Sequence, residues 1–570
     1  MAKVRNLGET ARAGAGTPVI GVFATNDPRI DPSFWRRGAN IVKTAAEAIA
    51  GGIAPPGGAA PEVVYTPVLV KEEKSADLAA RQLKGAGAEI LVCVPDSWCF
   101  PQPTILSLLA HFPEKTPINI TCGNSATLPG VVFAQAAAGA LSQSGRLVHL
   151  NVGNWPDDGD DPAMSPATVR ALVDWCQAAL AHAGLRGRRL AVFGHDSMGM
   201  ETALAHIIAT RRTFGLEITR LDMKLLSDLL AKKAYRPSEL KDLRGWLAKH
   251  LGRRLEIRGK AGSAQLDQAL AMYLIVRDLM ADLEAVGGGF MGQLEWGSDP
   301  RGTPLPTPDI MESLFNSTFD HNGAKAPLPY ATEADVQGLL TMLFQTRLSG
   351  GNPPLFMDFR KVWEGWEVRA LAERLGISPS EEDVWAAKGF VDGNNSGSAS
   401  LDWAGRPGER PADILKNVSL PPVDPHYFPG GGNSVTFVSP GGIEGIAGRL
   451  AYSCLTGQFT MFWDEASTIE LPAPLAEAVR RASDYNWPHT WLVPKYAGML
   501  EYKHYAPANH LHLVRDLPPA RLQYWMDLAN VASAAPGAAR PAFVENVDRP
   551  QPLAHLLNGG EAAAKRLLGR

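Results

Sequence analysis

Three polar residues stand in otherwise apolar stretches of the sequence, and their side chains suit acid–base chemistry. Glu333 lies in LPYATEADVQGLL, Asp358 in PPLFMDFRKVW and His510 in YAPANHLHLV. Burying a carboxylate is costly unless the group is paired or ligates a cation. Acidic residues and a histidine in such surroundings therefore indicate a functional site.

Each of these residues also has an ordinary structural interpretation. Glu333 could complete a helix cap that Thr332 begins, and Asp358 could pair with Arg360. His510 could be a core histidine whose ring nitrogens are satisfied by hydrogen bonds. Taken one at a time, the three residues leave both interpretations open.

Two other motifs match parts of known sequence signatures but lack a feature that each signature requires. Gly287-x-Gly289-x-x-Gly292 matches a dinucleotide fingerprint but follows a predicted helix rather than a strand, so we do not predict NAD binding. The segment GHDSMG (194–199) has His195 where a nucleophile elbow needs glycine, which argues against a serine hydrolase. This loop nevertheless follows a predicted strand, where α/β sheets place ligands, so Met198 is a candidate substrate contact.

The elements that must position these residues follow two patterns. The first third of the chain alternates helical segments with apolar strand-like runs, which predicts a parallel sheet: PVIGVFA (18–24), VVYTPVL (63–69), EILVCVP (89–95), PINIT (117–121) and LVHLNVG (147–153). A helix capped by Ser165 and the strand RLAVFG (189–194) begin a second α/β unit. Amphipathic helices are predicted over 201–214, 222–233, 238–251 and 262–283.

From about Asn352 the pattern changes to short strands separated by Gly, Pro and Asn turns. Such spacing favours an antiparallel sheet or barrel, here from PPLFMDF, SVTFVS, GRLAYSC, GQFTMFW and STIELP. We therefore predict two Rossmann-like α/β domains followed by a C-terminal antiparallel β-barrel-like domain. The expected boundaries are 1–162, 163–350 and 351–570.

Composition excludes several classes of protein. The 570 residues exceed a single hydrophobic core, and a formal charge of -4 without long basic runs argues against a nucleic-acid partner. No stretch is apolar enough to span a bilayer and the first residues lack a signal-peptide core, so we expect a cytoplasmic protein without a membrane partner. Five scattered cysteines without CxxC spacing predict neither a disulfide framework nor a zinc cage.

Several separated motifs resemble the L-fucose isomerase family, in the same order and over nearly the whole chain. They are Gly289-Phe-Met-Gly-Gln293, LFNSTFDHNG (314–323), Ala331-Thr-Glu333, FMDFRKVW (356–363), NSGSASLD (395–402), YFPGGG (427–432), WPHTW (487–491) and Ala508-Asn-His510. The resemblance implies three domains in a homo-hexamer, with an active site that is open to residues of a neighbouring subunit.

The resemblance also implies roles for individual residues. In that family, the glutamate, aspartate and histidine of three of these motifs hold a divalent metal, usually manganese, and they correspond to Glu333, Asp358 and His510. Positions that line the sugar pocket in relatives correspond to Trp98, Gln293, Ser396, Tyr427 and Asn509.

The residue types suit the reaction that the resemblance implies. Moving a carbonyl between C1 and C2 of an open-chain sugar requires removal of a C–H proton, and the resulting enediolate carries charge on adjacent oxygens that a divalent cation stabilises. Two carboxylates and an imidazole suit Mn²⁺, although other divalent cations are possible. Glu333 and Asp358 would carry the proton transfers, and the sequence leaves open which is base and which is acid.

Departures from the family pattern concern the substrate. Phe23 stands where relatives have the arginine of Gly-Ile-Arg, and Met291 replaces a glutamine, so two polar contacts are missing. Arg29, Arg36 and Arg37 could bind an anionic sugar, although a solvated helix face is the simpler interpretation of Arg36 and Arg37. An L-fucose or D-arabinose type aldose is the first expectation, and sulfoquinovose, a sulfonated hexose, is the alternative. A non-catalytic sugar-binding protein and a hydride-shift isomerase are further alternatives.

Overall fold

The computed structural model describes residues 3–6, 19–30, 33–54, 61–124, 128–153, 163–195, 199–292, 305–394, 397, 399–499, 502 and 506–534. The chain divides into two compact units. The first comprises Met1–Arg186 and Pro518–Ala532, and the second comprises Gly187–Leu517 and a segment that begins at Ser533.

The first unit contains a six-stranded parallel sheet with the order β1-β3-β2-β4-β5-β6. Its strands are β1 (Lys3–Asn6), β2 (Val19–Phe23), β3 (Glu62–Tyr65), β4 (Ile90–Cys93), β5 (Ile118–Gly123) and β6 (Val148–Gly153). Residues of β2, β4 and β5 are buried throughout, as expected for a sheet covered on both faces. The five apolar runs of the sequence thus form strands as predicted.

Helices connect these strands. They are α1 (Ser33–Gly52), α2 (Glu73–Gly85), the single turn α3 (Ser107–Leu109) that follows a π-helical turn at Gln102–Leu106, α4 (Gly130–Gln143) and α5 (Pro166–Ala183). The predicted cap of α5 is confirmed, since the Ser165 side chain accepts a hydrogen bond from the Thr168 amide at 3.3 Å.

The second unit begins with a four-stranded parallel sheet in the order β12-β9-β7-β8. Its strands are β7 (Arg189–Phe193), β8 (Glu217–Leu221), β9 (Ala285–Phe290) and β12 (Tyr330–Thr332), while β10 (Phe319–Asp320) and β11 (Gly323–Ala324) form a small hairpin. Strands β8, β9 and β12 were not predicted. Glycine is uncommon in strands, so the run AVGGGF of β9 did not resemble one.

Helices of this unit surround the sheet. They are α6 (Ile207–Phe214), α7 (Met223–Ala231), α8 (Pro237–Leu251), α9 (Gly259–Asp282), α10 (Asp309–Asn316) and α11 (Val336–Leu348). The predicted helix 201–214 is divided, because only a 3₁₀ turn forms at Glu201–Ala203 and Leu204 is extended.

Six antiparallel strands of the second unit close into a barrel. They are β13 (Leu355–Trp363), β14 (Phe390–Asn394), β15 (Glu444–Ser453), β16 (Gln458–Thr468), β17 (His489–Pro494) and β18 (His510–Arg515). Their order is β15-β18-β13-β14-β17-β16, and pairing of β15 with β16 completes the ring. The predicted fold class, which is two Rossmann-like α/β domains followed by a C-terminal β-barrel-like domain, is confirmed.

Two predicted strands of the barrel are wrong. STIELP contributes only its first two residues, which end β16. The segment SVTFVS makes isolated bridges, Thr436 with Ser419 and Val438 with His489, instead of a continuous ladder. Its backbone groups are thus divided between two neighbouring segments.

The remaining elements are short. They are the helices α12 (Gly365–Arg374), α13 (Val384–Ala387), α14 (Pro411–Ile414), α15 (Ala473–Arg481) and α16 (Pro519–Ala529), and the strand β19 (Ala532–Ala534). Helix α16 belongs to the first unit, where Arg521 donates to Asp174 of α5 at 2.7 Å. None of the helices that the structure describes is long and apolar enough to cross a bilayer.

Candidate active site

The barrel strands β13 and β18 bring an acid and a histidine together. Asp358 of β13 lies directly opposite His510, the first residue of β18. Directly opposed residues of antiparallel strands present their side chains on the same face. His510 Nε2 lies 3.3 Å from Asp358 Oδ1 and 3.1 Å from Glu333 Oε2. The three predicted residues therefore meet at one imidazole nitrogen.

Glu333 reaches this point from the parallel sheet. It directly follows β12, whose carboxyl end lies at the same edge as those of β7 and β9, where α/β sheets place ligands. Glu333 and Ala334 have φ values of 59° and 53°, in the left-handed region that non-glycine residues seldom adopt. Two consecutive residues in this conformation are costly and mark functional turns more often than ordinary ones.

The simpler interpretations of Glu333 and Asp358 do not hold. The helix that follows Glu333 is capped by Asp335, whose side chain accepts from the Gly338 amide at 2.8 Å, so Thr332 is not the cap. Arg360 forms its ion pair with Asp484 rather than with Asp358. Neither acid is therefore explained by the local contact that its sequence suggested.

His510 is held from its other side by a buried ion pair. Asp335 Oδ2 lies 2.7 Å from His510 Nδ1, and Arg449 donates through Nη2 to Asp335 Oδ1 at 2.9 Å. Arg449 also contacts His512 Nε2 at 3.2 Å. Burial opposes ionisation of Asp335, but the charge of Arg449 and the His510 contact outweigh it and lower the pKa of this carboxyl. Asp335 therefore stays charged and orients the imidazole.

The two acids at Nε2 occupy different environments. The Glu333 side chain is 4% exposed, whereas that of Asp358 is 22% exposed. Burial raises the pKa of Glu333, and the nearby Asp358 and Asp335 act in the same direction against the opposing effect of His510. The site thus combines one enclosed carboxylate with one that solvent reaches.

The donor chemistry fits a divalent cation. A ligating histidine commonly donates its second ring N–H to a carboxylate, as Nδ1 does toward Asp335, and this leaves the Nε2 lone pair for a metal. Nε2 is buried and makes no hydrogen bond to the described residues. Among those residues, however, no group of three His, Cys, Asp or Glu side chains is arranged as a finished metal site.

Asn509 and Tyr427 lie in the same unit as these residues. Asn509 Nδ2 is 3.5 Å from Asp358 Oδ1, and its Oδ1 is 3.5 Å from the Thr202 hydroxyl, so it connects the barrel to the segment after β7. The half-buried Tyr427 packs against Trp487, with ring centroids 5.4 Å apart.

Comparisons with known proteins identify the family. The model of the first N-terminal domain of L-fucose isomerase matches residues 17–187, and that of the second N-terminal domain matches residues 189–350. Together the two matches cover more than half of the chain. The chain belongs to the L-fucose isomerase family.

Curated relatives agree with this assignment over most of their length. An L-fucose isomerase of Streptococcus pneumoniae (strain Taiwan19F-14) is 26% identical over 526 residues, which are 85% of this chain and 86% of the relative. One of Vibrio vulnificus (strain YJ016) is 27% identical over 515 residues, covering 84% and 85%. L-fucose isomerases are aldose–ketose isomerases, a class of intramolecular oxidoreductase, and this member of the family is an enzyme of that class.

The other predicted substrate residues of this isomerase fall into two groups. Arg29 and Trp98 lie in the first unit, in the loops that follow β2 and β4, where the strand order changes direction and ligands commonly bind. There Trp98 packs edge-on against Phe100, and Arg29 lies 4.7 Å over the same ring. Met198, Gln293 and Ser396 lie outside the described residues.

Sequence reasoning missed Asp335 and Arg449. A signal was available for both, since Asp335 precedes the apolar run of α11 as a helix cap would, and Arg449 interrupts the apolar strand GRLAYSC. The missing information was their pairing, because 114 residues separate them.

Proposed function

We propose that this isomerase interconverts an open-chain aldose of the L-fucose or D-arabinose class and its ketose through an enediolate, with Glu333 and Asp358 carrying the proton transfers. The observation that carries the proposal is the meeting of both carboxylates at Nε2 of His510, at 3.1 and 3.3 Å.

The chemistry requires two positioned proton carriers. One group removes the proton from C2 of the aldose, and a second group moves the proton of the neighbouring hydroxyl as the carbonyl shifts. Positioned carboxylates accelerate such transfers by roughly 10²–10⁴-fold. Glu333 and Asp358 come from different elements, the turn after β12 and strand β13, so they can face a bound sugar from two sides.

A divalent cation, which we propose to be Mn²⁺, would be held by Glu333, Asp358 and His510. When bound, it would stabilise the charge that develops on the two adjacent enediolate oxygens. Asp335 keeps the His510 ring in the orientation that this requires. The enclosed position of Glu333 reduces competition from water at the reacting carbons.

The pairing of two arginines bears on whether the substrate carries a charge. Phe23 is fully buried in the core of the first unit and Met291 is also buried, so neither replaces a missing polar contact. Arg37 forms a buried ion pair with Asp96, and Arg29 pairs with Asp27 at 2.7 Å. Both arginines already have a carboxylate partner, and the buried Arg37 is enclosed with its partner, which favours an uncharged aldose over the sulfonated alternative.

An assay of the purified protein tests the proposal. Protein treated with a chelator is supplied with Mn²⁺ and incubated separately with L-fucose, D-arabinose and sulfoquinovose, and ketose formation is measured. We expect turnover of an uncharged aldose that chelation abolishes and Mn²⁺ restores. Turnover of sulfoquinovose alone would overturn the substrate class, and full activity in chelator would overturn the metal.

The isotope content of the product distinguishes the enediolate route from hydride transfer. In D₂O, proton transfer through a carboxylate places deuterium at C1 of the ketose product, whereas a direct hydride shift does not. Product without deuterium would contradict the enediolate route. A non-catalytic sugar-binding protein would give no product in either solvent.

The homo-hexamer and the cytoplasmic location remain predictions, and sedimentation of the purified protein tests the first.

A further inference from the structure

A row of four opposed residues crosses four adjacent strands of the barrel. His510 of β18 pairs with Asp358 of β13, Asp358 pairs with Asn394 of β14, and Asn394 pairs with His489 of β17. In antiparallel pairs, opposed side chains share a face with Cβ atoms about 4.5–5.5 Å apart. The row therefore runs from the candidate metal ligands to a second histidine.

The far end of this row is a buried hydrogen-bonded cluster. His489 and Asp392 are fully buried, and His489 Nδ1 lies 3.1 Å from Asp392 Oδ1. His489 Nε2 lies 3.2 Å from Asn394 Nδ2 and also 3.2 Å from the Asp484 carbonyl oxygen. Trp491 donates through Nε1 to the same Asp392 oxygen at 3.1 Å. The imidazole is held at both nitrogens, so the Asn394 amide faces a fixed partner.

Burying these polar side chains inside the barrel costs free energy. Apolar residues of similar size often stabilise a protein as well as a buried polar network or better. Asn394 is completely buried at the end of β14, and its Nδ2 also donates to the Pro488 carbonyl at 3.1 Å. Its neighbour across the ladder is Asp358, so the costly groups stand directly beside a proposed catalytic acid.

Asp358 itself has few close constraints. Its Oδ1 lies 3.3 Å from His510 Nε2 and 3.5 Å from Asn509 Nδ2, and both distances are long for hydrogen bonds. A partly exposed carboxylate with such contacts depends on its neighbours for a single orientation. Asn394 is the neighbour on the side away from His510.

We propose that Asn394 and His489 are positioning residues, with His489 fixed by Asp392 and holding the Asn394 amide, which in turn restricts Asp358. This inference rests on the proposed role of Asp358 in proton transfer. Loss of such outer contacts typically costs about 10–100-fold in activity or metal affinity. Because the effect is on the reacting geometry, kcat and kcat/KM fall together while KM changes little.

Two substitutions of His489 separate positioning from packing. In His489→Gln the side-chain amide reaches the place of Nε2 and retains the contact with Asn394, whereas in His489→Asn it reaches only the place of Nδ1. We expect His489→Asn to lower kcat about 10–100-fold and His489→Gln to restore much of it. Asn394→Leu, and Asn394→Asp if the former does not fold, should behave like His489→Asn.

A matched control lies on the same strand. Thr490 is buried beside His489 but belongs to the opposite face, where its hydroxyl bonds to that of Ser439 at 2.7 Å. Thr490→Val removes one buried hydrogen bond and should lower the melting temperature without lowering kcat. Mn²⁺ affinity, measured from the electron paramagnetic resonance signal of free Mn²⁺, should fall in the Asn394 and His489→Asn variants but not in Thr490→Val.

Folded Asn394 and His489 variants with the kcat and Mn²⁺ affinity of the wild type would show that the cluster only stabilises the barrel. Asp358→Asn is measured in parallel. If it retains turnover, the proposed role of Asp358 is wrong; if it is inactive while the other variants are normal, only the positioning inference fails.

Discussion

Asp335 Oδ2 lies 2.7 Å from Nδ1 of His510, and this contact determines which ring nitrogen faces Glu333 and Asp358. The same carboxylate is paired with Arg449, and both side chains are almost completely buried. The imidazole thus receives its orientation from a residue two positions after Glu333 in the chain. The Asp335 carboxylate thus has three roles, because it caps α11, pairs with Arg449 and contacts His510.

Asp335→Asn should weaken metal binding without removing a ligand. An amide can present either its oxygen or its NH₂ group to Nδ1, so the ring loses its fixed tautomer, and Mn²⁺ affinity should fall about 10–100-fold. The variant also leaves Arg449 without its charged partner, which costs about 3–5 kcal/mol. Calorimetric Mn²⁺ titration and urea unfolding measure the two effects.

The control for Asp335→Asn is Asp464→Asn. Asp464 is a buried acid of β16 that accepts from the Ala497 amide at 2.9 Å. Its replacement should alter stability but leave Mn²⁺ affinity as in the wild type. Equal affinities for wild type and Asp335→Asn would argue against this role of Asp335.

Glu333→Gln and Asp358→Asn should each give a folded but nearly inactive enzyme. Both changes preserve shape but remove a carboxylate that carries a proton and would also hold the cation, so kcat should fall by roughly 10²–10⁴-fold or more. Circular dichroism and sedimentation establish that fold and assembly are retained. Normal turnover by either variant would refute the assignment of the proton transfers.

The sequence predicted well what depends on local pattern. The apolar runs of β2 to β7 and of the barrel strands β13, β15 and β16 were recognisable, and Glu333, Asp358 and His510 were selected as candidates from their apolar context and family motifs. Strand β9 was missed because Gly287, Gly288 and Gly289 are poor strand formers. The left-handed turn at Glu333 and the Asp335–Arg449 pair depend on contacts between distant elements, which no local pattern specifies.

Gly288→Ala should destabilise the second unit and disturb the site. A Cβ at Gly288 would lie 2.6 Å from the Tyr330 ring and 2.9 Å from the Ala191 carbonyl oxygen. The carbonyl belongs to β7 and cannot move alone, so we expect a loss of about 1–3 kcal/mol. Tyr330 begins the strand that leads to Glu333, so turnover should fall as well.

Gly245→Ala is the matched substitution for Gly288→Ala. Gly245 lies in α8, and a Cβ there meets no atom within 4 Å. Alanine in a helix interior should stabilise the protein by about 0.5–1 kcal/mol. Thermal unfolding midpoints of the two variants should therefore shift in opposite directions, and a shift in the same direction would contradict the packing explanation of the glycine run.

Asp309→Asn should change how stability depends on pH. Asp309 is buried at the start of α10, where Oδ2 accepts from the Ser434 hydroxyl at 2.9 Å and Oδ1 accepts from the Thr307 hydroxyl. Burial raises the pKa of Asp309 from 3.8 to about 6, against the opposing effect of these hydrogen bonds. The folded protein therefore binds this proton more tightly than the unfolded chain does.

Because proton binding is linked to folding, the raised pKa of Asp309 makes the free energy of unfolding depend on pH. The stability contributed by the protonated Asp309 is fully present below about pH 4 and is lost as pH rises through about 6. The effect is about 1.4 kcal/mol per pKa unit. As pH rises from about 4 to above 6, the free energy of unfolding of Asp309→Asn should therefore increase relative to that of the wild type by on the order of 3 kcal/mol. Urea midpoints at a series of pH values measure this difference. Asp413→Asn, where hydrogen bonds from Lys416 and Arg410 lower the pKa of a partly exposed acid, should give a much smaller change of opposite sign. A difference for Asp309→Asn that is constant with pH would contradict the raised pKa.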